Sequence, residues 1–216
     1  MRAAAVWSLG AVGKKEHAAT LAALVKDPDA AVAGDAAGAL GRLAAREGGI
    51  EQAVAALCAA LAEERPYVRA NALEGLSLGS SKCEAGAVRD VLARDPSEPV
   101  RLAAADYLAR SIARAGDKAL DADRRALARC AGEERDAAVA TRCSRPATVP
   151  DAAATDDVVI YVVPDGRGAP LPRAPFTLVR ADGLLRLGLA DRRGEIFEAA
   201  APRGVIRLGV PAALVR

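Results

Sequence analysis

The stretch Glu64–Gly79, ERPYVRANALEGLSLG, decides the fold of this 216-residue chain. A charged turn with a proline leads to Val68, then to small or apolar residues at Ala72 and Leu73, then to Leu76. Offsets of four and eight put these side chains on one stripe of an α-helix. Asp27–Ala44, DPDAAVAGDAAGALGRLA, has the same layout around Val32, with Ala36, Ala37 and Leu40. Asp95–Arg110, DPSEPVRLAAADYLAR, repeats it around Val100, with Ala104, Ala105 and Leu108. A shorter fourth copy centres on Val139, in ERDAAVATRC.

Before each turn lies a further amphipathic stretch: HAATLAALVK from His17, IEQAVAALCAALA from Ile50, EAGAVRDVLAR from Glu84 and DRRALARCA from Asp123. The unit is helix, tight turn, helix. One such hairpin cannot bury its apolar stripe alone, so the copies must stack into an α-solenoid. The opening MRAAAVWSLGAVGKK fits the same register. Met1 takes the valine position, Arg2 that of Arg69 and Arg101, and Leu9 that of Leu76. A secretory signal would call for a longer apolar core and a small-residue cleavage site. The opening therefore reads as the second helix of a hairpin whose first helix is absent, with the chain starting inside a longer solenoid. Trp7 is then expected to be exposed on a sticky N-terminal edge that contacts missing repeats or another subunit.

The motif Pro66-Tyr67-Val68-Arg69-Ala70-Asn71-Ala72, with its counterpart Pro99-Val100-Arg101-Leu102-Ala103-Ala104, resembles HEAT repeats, and the short units are similar to the bacterial subgroup named after phycobilisome lyases. The resemblance covers about residues 1–145 and implies an armadillo-type superhelix whose second helices line a concave face. Ala33 and Ala140 stand where the motif has arginine, which interrupts any continuous Arg–Asp ladder.

After CSRPATVPDAAATDD, a linker placed at 146–156, the pattern changes. VVIYVV, FTLVR, LLRLGLA, EIFEA and VIRLGV are β-rich runs, separated by turns at Ala181-Asp182-Gly183, Arg192-Arg193-Gly194 and Pro202-Arg203-Gly204. Such spacing predicts a small antiparallel sandwich over 157–216. The stretch Gly168–Gly204 resembles carboxypeptidase-regulatory-like or transthyretin-like modules, which decorate secretion spikes and envelope proteins. The fold class expected is α+β in two parts, a HEAT-like solenoid over 1–145 followed by the sandwich.

Composition narrows the function. Aromatics are only 3% against 52% hydrophobic residues, so the core is built of Ala, Leu and Val, and helices can approach closely. The net charge of +2 lacks the basic field of a nucleic-acid binder. No apolar run approaches the roughly 20 residues that span a bilayer. The Ala- and Arg-rich composition suggests a GC-rich bacterial genome, and the expected location is cytoplasmic, with envelope association as the alternative. Cys58, Cys83, Cys130 and Cys143 form no CxxC pair, which argues against a zinc site, and their ordinary reading is buried small apolar side chains in a reducing cytosol. One pairing stands apart. Cys130 and Cys143 are equidistant from the turn at Asp136 and Ala137, so antiparallel helices can set them opposite each other, and a disulfide forms there if the Cα atoms come within about 7 Å.

Catalytic motifs are hinted at and fail. Gly75-Leu76-Ser77-Leu78-Gly79 satisfies G-x-S-x-G, but it lies at a helix end, and the single histidine, His17, precedes it. GAVGKK lacks the Ser/Thr of a phosphate loop. A lone histidine cannot supply paired iron ligands. The expectation is a protein that is not an enzyme and needs no cofactor or metal: an adaptor that binds a protein or peptide partner on its concave face. Periodicity assigns that face to Trp7, Asp35, Arg42, Asn71, Glu74, Asp106 and Arg110, with Tyr107 beside them. A second expectation is a structural or regulatory fragment of an envelope or secretion assembly, with the β module as docking piece. A HEAT-type lyase or DNA glycosylase comes third.

Overall fold

The computed structural model describes residues 2–79, 83–84, 86–145, 155–163, 168–181 and 185–209. The helical elements are α1 (Arg2–Val12), α2 (Ala18–Leu24), α3 (Ala30–Arg46), α4 (Glu51–Ala59), α5 (Pro66–Leu78), α6 (Ala87–Arg94), α7 (Glu98–Ala115), α8 (Asp121–Glu133) and α9 (Ala137–Ser144). The odd-numbered helices stack side by side from α1 through α9, and each even-numbered one packs on the odd-numbered helix that follows it. Val32, Val68, Val100 and Val139 are all buried, as are the small residues and leucines that follow the first three. Small residues set the spacing. A Cβ on Gly41 would lie 2.0 Å from the Gly75 Cα, so α3 and α5 meet backbone to backbone there.

The turns carry their own chemistry. An acid stands five residues before each anchor valine: Asp27, Glu63, Asp95 and Glu134. Asp27, Asp95 and Glu134 each accept a hydrogen bond of 2.9 Å from the backbone N–H two residues on, which fixes the turn. Each also receives the motif arginine of the preceding repeat. Arg69 grips Asp95 with two bonds of 2.7 and 2.8 Å, Arg101 grips Glu134 at 2.8 and 3.1 Å, and Arg2 reaches Asp27. The rung interrupted by Ala33 is replaced. Arg65 donates to Glu63 at 3.0 Å and, through its other nitrogen, to the Asp27 carbonyl at 2.6 Å, bridging the same two turns. Asp29 and Asp136 cap α3 and α9 by accepting from the backbone N–H groups of their first turns. Arg46 and Arg114 each reach back to the free carbonyls that end the preceding odd-numbered helix, Gly10 and Ala11 at 2.7 and 2.6 Å, and Gly79 at 2.8 Å.

All four cysteines are paired, Cys58 with Cys83 and Cys130 with Cys143, across Cα separations of 5.4 and 5.9 Å. This corrects the reading of Cys58 and Cys83 as reduced apolar fillers. The first bond joins the end of α4 to the segment before α6, and the second joins the two helices of the last hairpin.

The strands are β1 (Thr155–Tyr161), β2 (Pro175–Val179), β3 (Leu185–Leu189), β4 (Glu195–Pro202) and β5 (Arg207–Gly209). All pairings among them are antiparallel, β1 with β4 in one sheet and β3–β2–β5 in the other. Between the sheets lies a small core of Val162, Ala174, Phe176, Leu178, Ala190 and Ile196. The expected turns at 192–194 and 202–204 are present. Gly194 has φ +75°, and Asp191 accepts from the N–H groups of Arg193 and Glu195 to close the β3–β4 turn. Asp182 and Gly183 of the other turn, and most of the linker, lie outside the described residues.

Candidate functional site under the β sheets

The odd-numbered helices present the face assigned to partner recognition, and the β sheets of the same chain lie on it. Strand β3 packs against α3, α5 and α7, and β4 against α1. The key side chain is Arg186. In the β2–β3 register it pairs with Leu178, and Gly188 pairs with Phe176, so these four lie on the core-facing side of the sheet. A Cβ on Gly188 would sit 2.1 Å from the Phe176 ring, so glycine is what admits the ring beside Arg186.

Arg186 is 3% exposed and touches both halves of the molecule. Its guanidinium lies 3.6 Å from the centroid of the Trp7 ring. One nitrogen donates to Asp35 at 3.3 Å; the other donates to Glu198 on β4 and to the Phe197 carbonyl, both at 3.0 Å. Glu198 is held from its other oxygen by Arg180 at 3.0 Å. Tyr67 donates its hydroxyl to Asp35 at 3.0 Å. Arg42 lies 4.7 Å from the Trp7 centroid, beside Arg186. At the rim, Arg173 pairs with Asp29 at 3.2 Å, which lowers the Asp29 pKa.

Burial dominates the electrostatics. Glu74 is 4% exposed, and the loss of water raises its carboxyl to about 8 despite the opposing pull of Arg186. Asp35 rises to about 6 for the same reason, with Arg186 and the Tyr67 hydrogen bond working against the shift. The Tyr67 hydroxyl is pushed up by burial and by the Asp35 charge beside it. For Arg186 itself burial disfavours the cation, but the carboxylates of Glu198 and Asp35 outweigh it and hold the guanidinium charged.

Of the eight residues assigned to this face, Trp7, Asp35, Arg42 and Glu74 come together around Arg186. Asn71 is buried alongside them and donates to the Tyr67 carbonyl at 3.0 Å. Asp106 and Arg110 form a separate group. Asp106 accepts from Arg110 and from Arg142 of α9, each at 2.7 Å. Tyr107 points elsewhere, lining a hollow with Val88 of α6 and Asp123 of α8. Burial, then the Asp123 charge, raises its pKa.

The expectation that Trp7 is exposed at the N-terminal edge is corrected. It is 1% exposed, because the sheets fold back over α1 and Arg186 covers its ring. The residues that sequence reading missed are Arg186, Arg180 and Glu198. For Arg186 and Glu198 the signal was present: a charge set inside the apolar runs LLRLGLA and EIFEA, at positions that strand alternation turns inward, whereas Arg180 ends the run FTLVR.

Ser77 of the G-x-S-x-G match is helical and buried, and its hydroxyl donates to the Glu74 carbonyl at 2.7 Å. Among the described residues, no three His, Cys, Asp or Glu side chains are placed to hold a metal, and no helix is long and apolar enough to cross a membrane.

No curated protein matches this chain. Among solved structures it is similar to the crystal structure of an engineered protein from a structural genomics consortium, at 21% identity and a TM-score of 0.43. That likeness covers 65% of this chain, which spans 64% of the engineered one. Residues 1–77 match the HEAT repeats family. The N-terminal region of this chain is therefore a run of HEAT repeats.

Proposed function

We propose that this protein is a non-catalytic scaffold that mediates protein–protein interaction. The observation that supports the reading is how the odd-numbered helices already work as a recognition surface. They hold a folded β surface by stacking Arg186 on Trp7 and pairing it with Asp35. Aromatic and arginine side chains in a desolvated patch are what protein interfaces use as energetic anchors. In this chain the occupant is its own C-terminal part, so helices and sheets act as one unit. A partner that uses Trp7, Asp35, Arg42 and Glu74 would have to displace the sheets, whereas Asp106, Arg110 and Tyr107 form no part of the Arg186 cluster. The shifted carboxyls of Asp35 and Glu74 fit the same reading, since burial under the sheets accounts for both without a reaction to serve.

A second reading is favoured by the outer side of β1, where Val159 and Tyr161 are 50% and 48% exposed. Here the solenoid seats the β part, and the β part docks onto a larger envelope or secretion assembly. The resemblance of Gly168–Gly204 to carboxypeptidase-regulatory-like modules belongs with this second reading.

Affinity capture from an extract of the native host tests both, using the full chain, R186M and a V159E/Y161E variant. Capture enhanced by R186M assigns recognition to the helical face, and capture lost in V159E/Y161E assigns it to the β part. No protein captured above background by any form would remove the scaffold reading.

A further inference from the structure

We propose that the Cys58–Cys83 and Cys130–Cys143 disulfides are permanent structural bonds, and that the protein therefore acts in an oxidising compartment outside a reducing cytosol. Every cysteine of the chain is used, with no thiol left over. Two independent pairings that consume all four cysteines are the pattern of proteins matured under oxidising conditions, whereas cytosolic chains keep thiols reduced. Both Cα separations fall within the range a disulfide spans without moving the backbone.

Each bond ties down helices that bury few side chains of their own, Ala53 and Leu57 in α4 and Val139 and Cys143 in α9. Helix α3 buries thirteen residues, among them Leu40 and Leu43, and no cysteine occurs before Cys58. By contrast α6 buries only Val88 and Leu92, and α9 only Val139 and Cys143. The first bond ties the hairpin of α4 and α5 to the start of α6, and the second closes the hairpin of α8 and α9 immediately before the chain leaves for the sheets. A hairpin with little core of its own gains from a cross-link, because the bond restricts the unfolded chain. Cys143 is buried and the other three cysteines are half-buried, which limits the access of thiolates to the bonds.

Formation of each bond removes one proton from each of two thiols and passes two electrons to an oxidant. A disulfide-bearing oxidoreductase of the compartment fills that role and is itself reduced to a dithiol through a mixed disulfide.

The test begins with native host cells opened directly into denaturant and N-ethylmaleimide, followed by mass analysis of the full chain. The expected result is no alkylated cysteine, a mass about 4 Da below that of the reduced chain, and linked peptides joining Cys58 to Cys83 and Cys130 to Cys143. Alkylation at any of the four positions, or a different pairing, overturns the proposal. On the purified protein, dithiothreitol and the separate variants C58S/C83S and C130S/C143S are each expected to lower Tm by about 5–15 °C. An unchanged Tm in reductant and in both variants refutes the structural role.

Discussion

Replacing Arg186 by methionine tests the central contact most directly, because methionine keeps much of the volume and deletes the charge. The change removes two ion pairs, at 3.3 Å to Asp35 and 3.0 Å to Glu198, a bond to the Phe197 carbonyl, and the stack on Trp7. Removing one partner of a buried pair costs about 3–5 kcal/mol, since the carboxylates left behind are desolvated without compensation. The lost cation–π contact adds about 1–2 kcal/mol, and proton uptake by the stranded acids returns part of the total. A net loss of about 3–5 kcal/mol is expected at pH 7.5, and a smaller loss at pH 5.5, where the stranded Asp35, already raised to about 6, takes up a proton. Trp7 is the only tryptophan, so its fluorescence reports on the surroundings of this one ring, which Arg186 covers. Urea unfolding followed by that emission should show a lower midpoint, and the native spectrum should move to the red as the ring gains water. A loss below about 1 kcal/mol with an unchanged native spectrum would refute the reasoning, because an interface anchored on this guanidinium cannot lose it silently.

Two further outcomes follow from the same packing. Glu74, raised from 4.5 to about 8, and Asp35, raised from 3.8 to about 6, keep protons in the folded state that the unfolded chain has released. The native state therefore binds more protons, and these groups make stability fall as pH rises from about 4 to 8, by up to about 1.4 kcal/mol per pH unit for Glu74. E74Q should flatten that slope and be more stable than wild type at pH 8 in urea titrations; a steeper fall in E74Q would contradict the assignment. Gly41→Ala forces a methyl against the Gly75 backbone and should cost about 1–3 kcal/mol, while Gly132→Ala, in α8 with open space around it, should be neutral or stabilising by up to about 1 kcal/mol in thermal melts. Equal effects at the two glycines would mean that α3 and α5 are not in backbone contact.

The helices and turns were legible because their signals are local. The anchor valines and the leucines eight residues on sit at helical spacing, the prolines and acids of the turns fix backbone within a few residues, and Asp29 and Asp136 cap the helices they precede. The strands were legible for the same reason, through apolar runs broken by Gly194 and Gly204. Even the gap left by Ala33 was visible, although its filling by Arg65 was not, since that depends on where a side chain reaches in space.

What the sequence by itself determined is therefore the repeating unit, the change from helical to strand period, and which helix stripe faces the core. Tertiary structure alone decided what lies on the opposite stripe. Asp35, Arg42 and Glu74 carry the charges of an ordinary solvated surface, and by periodicity they point away from the hairpin core. Asp35 and Glu74 are buried, and Arg42 half-buried, where strand β3 packs on α3 and α5 and brings in Arg186, which is 151 residues from Asp35 in the chain. The cysteine partners were settled in the same way, with Cys58 and Cys83 brought together by the stacking of successive hairpins. Helical periodicity records only neighbours within a few turns, whereas burial of a charge depends on which distant side chain arrives to neutralise it.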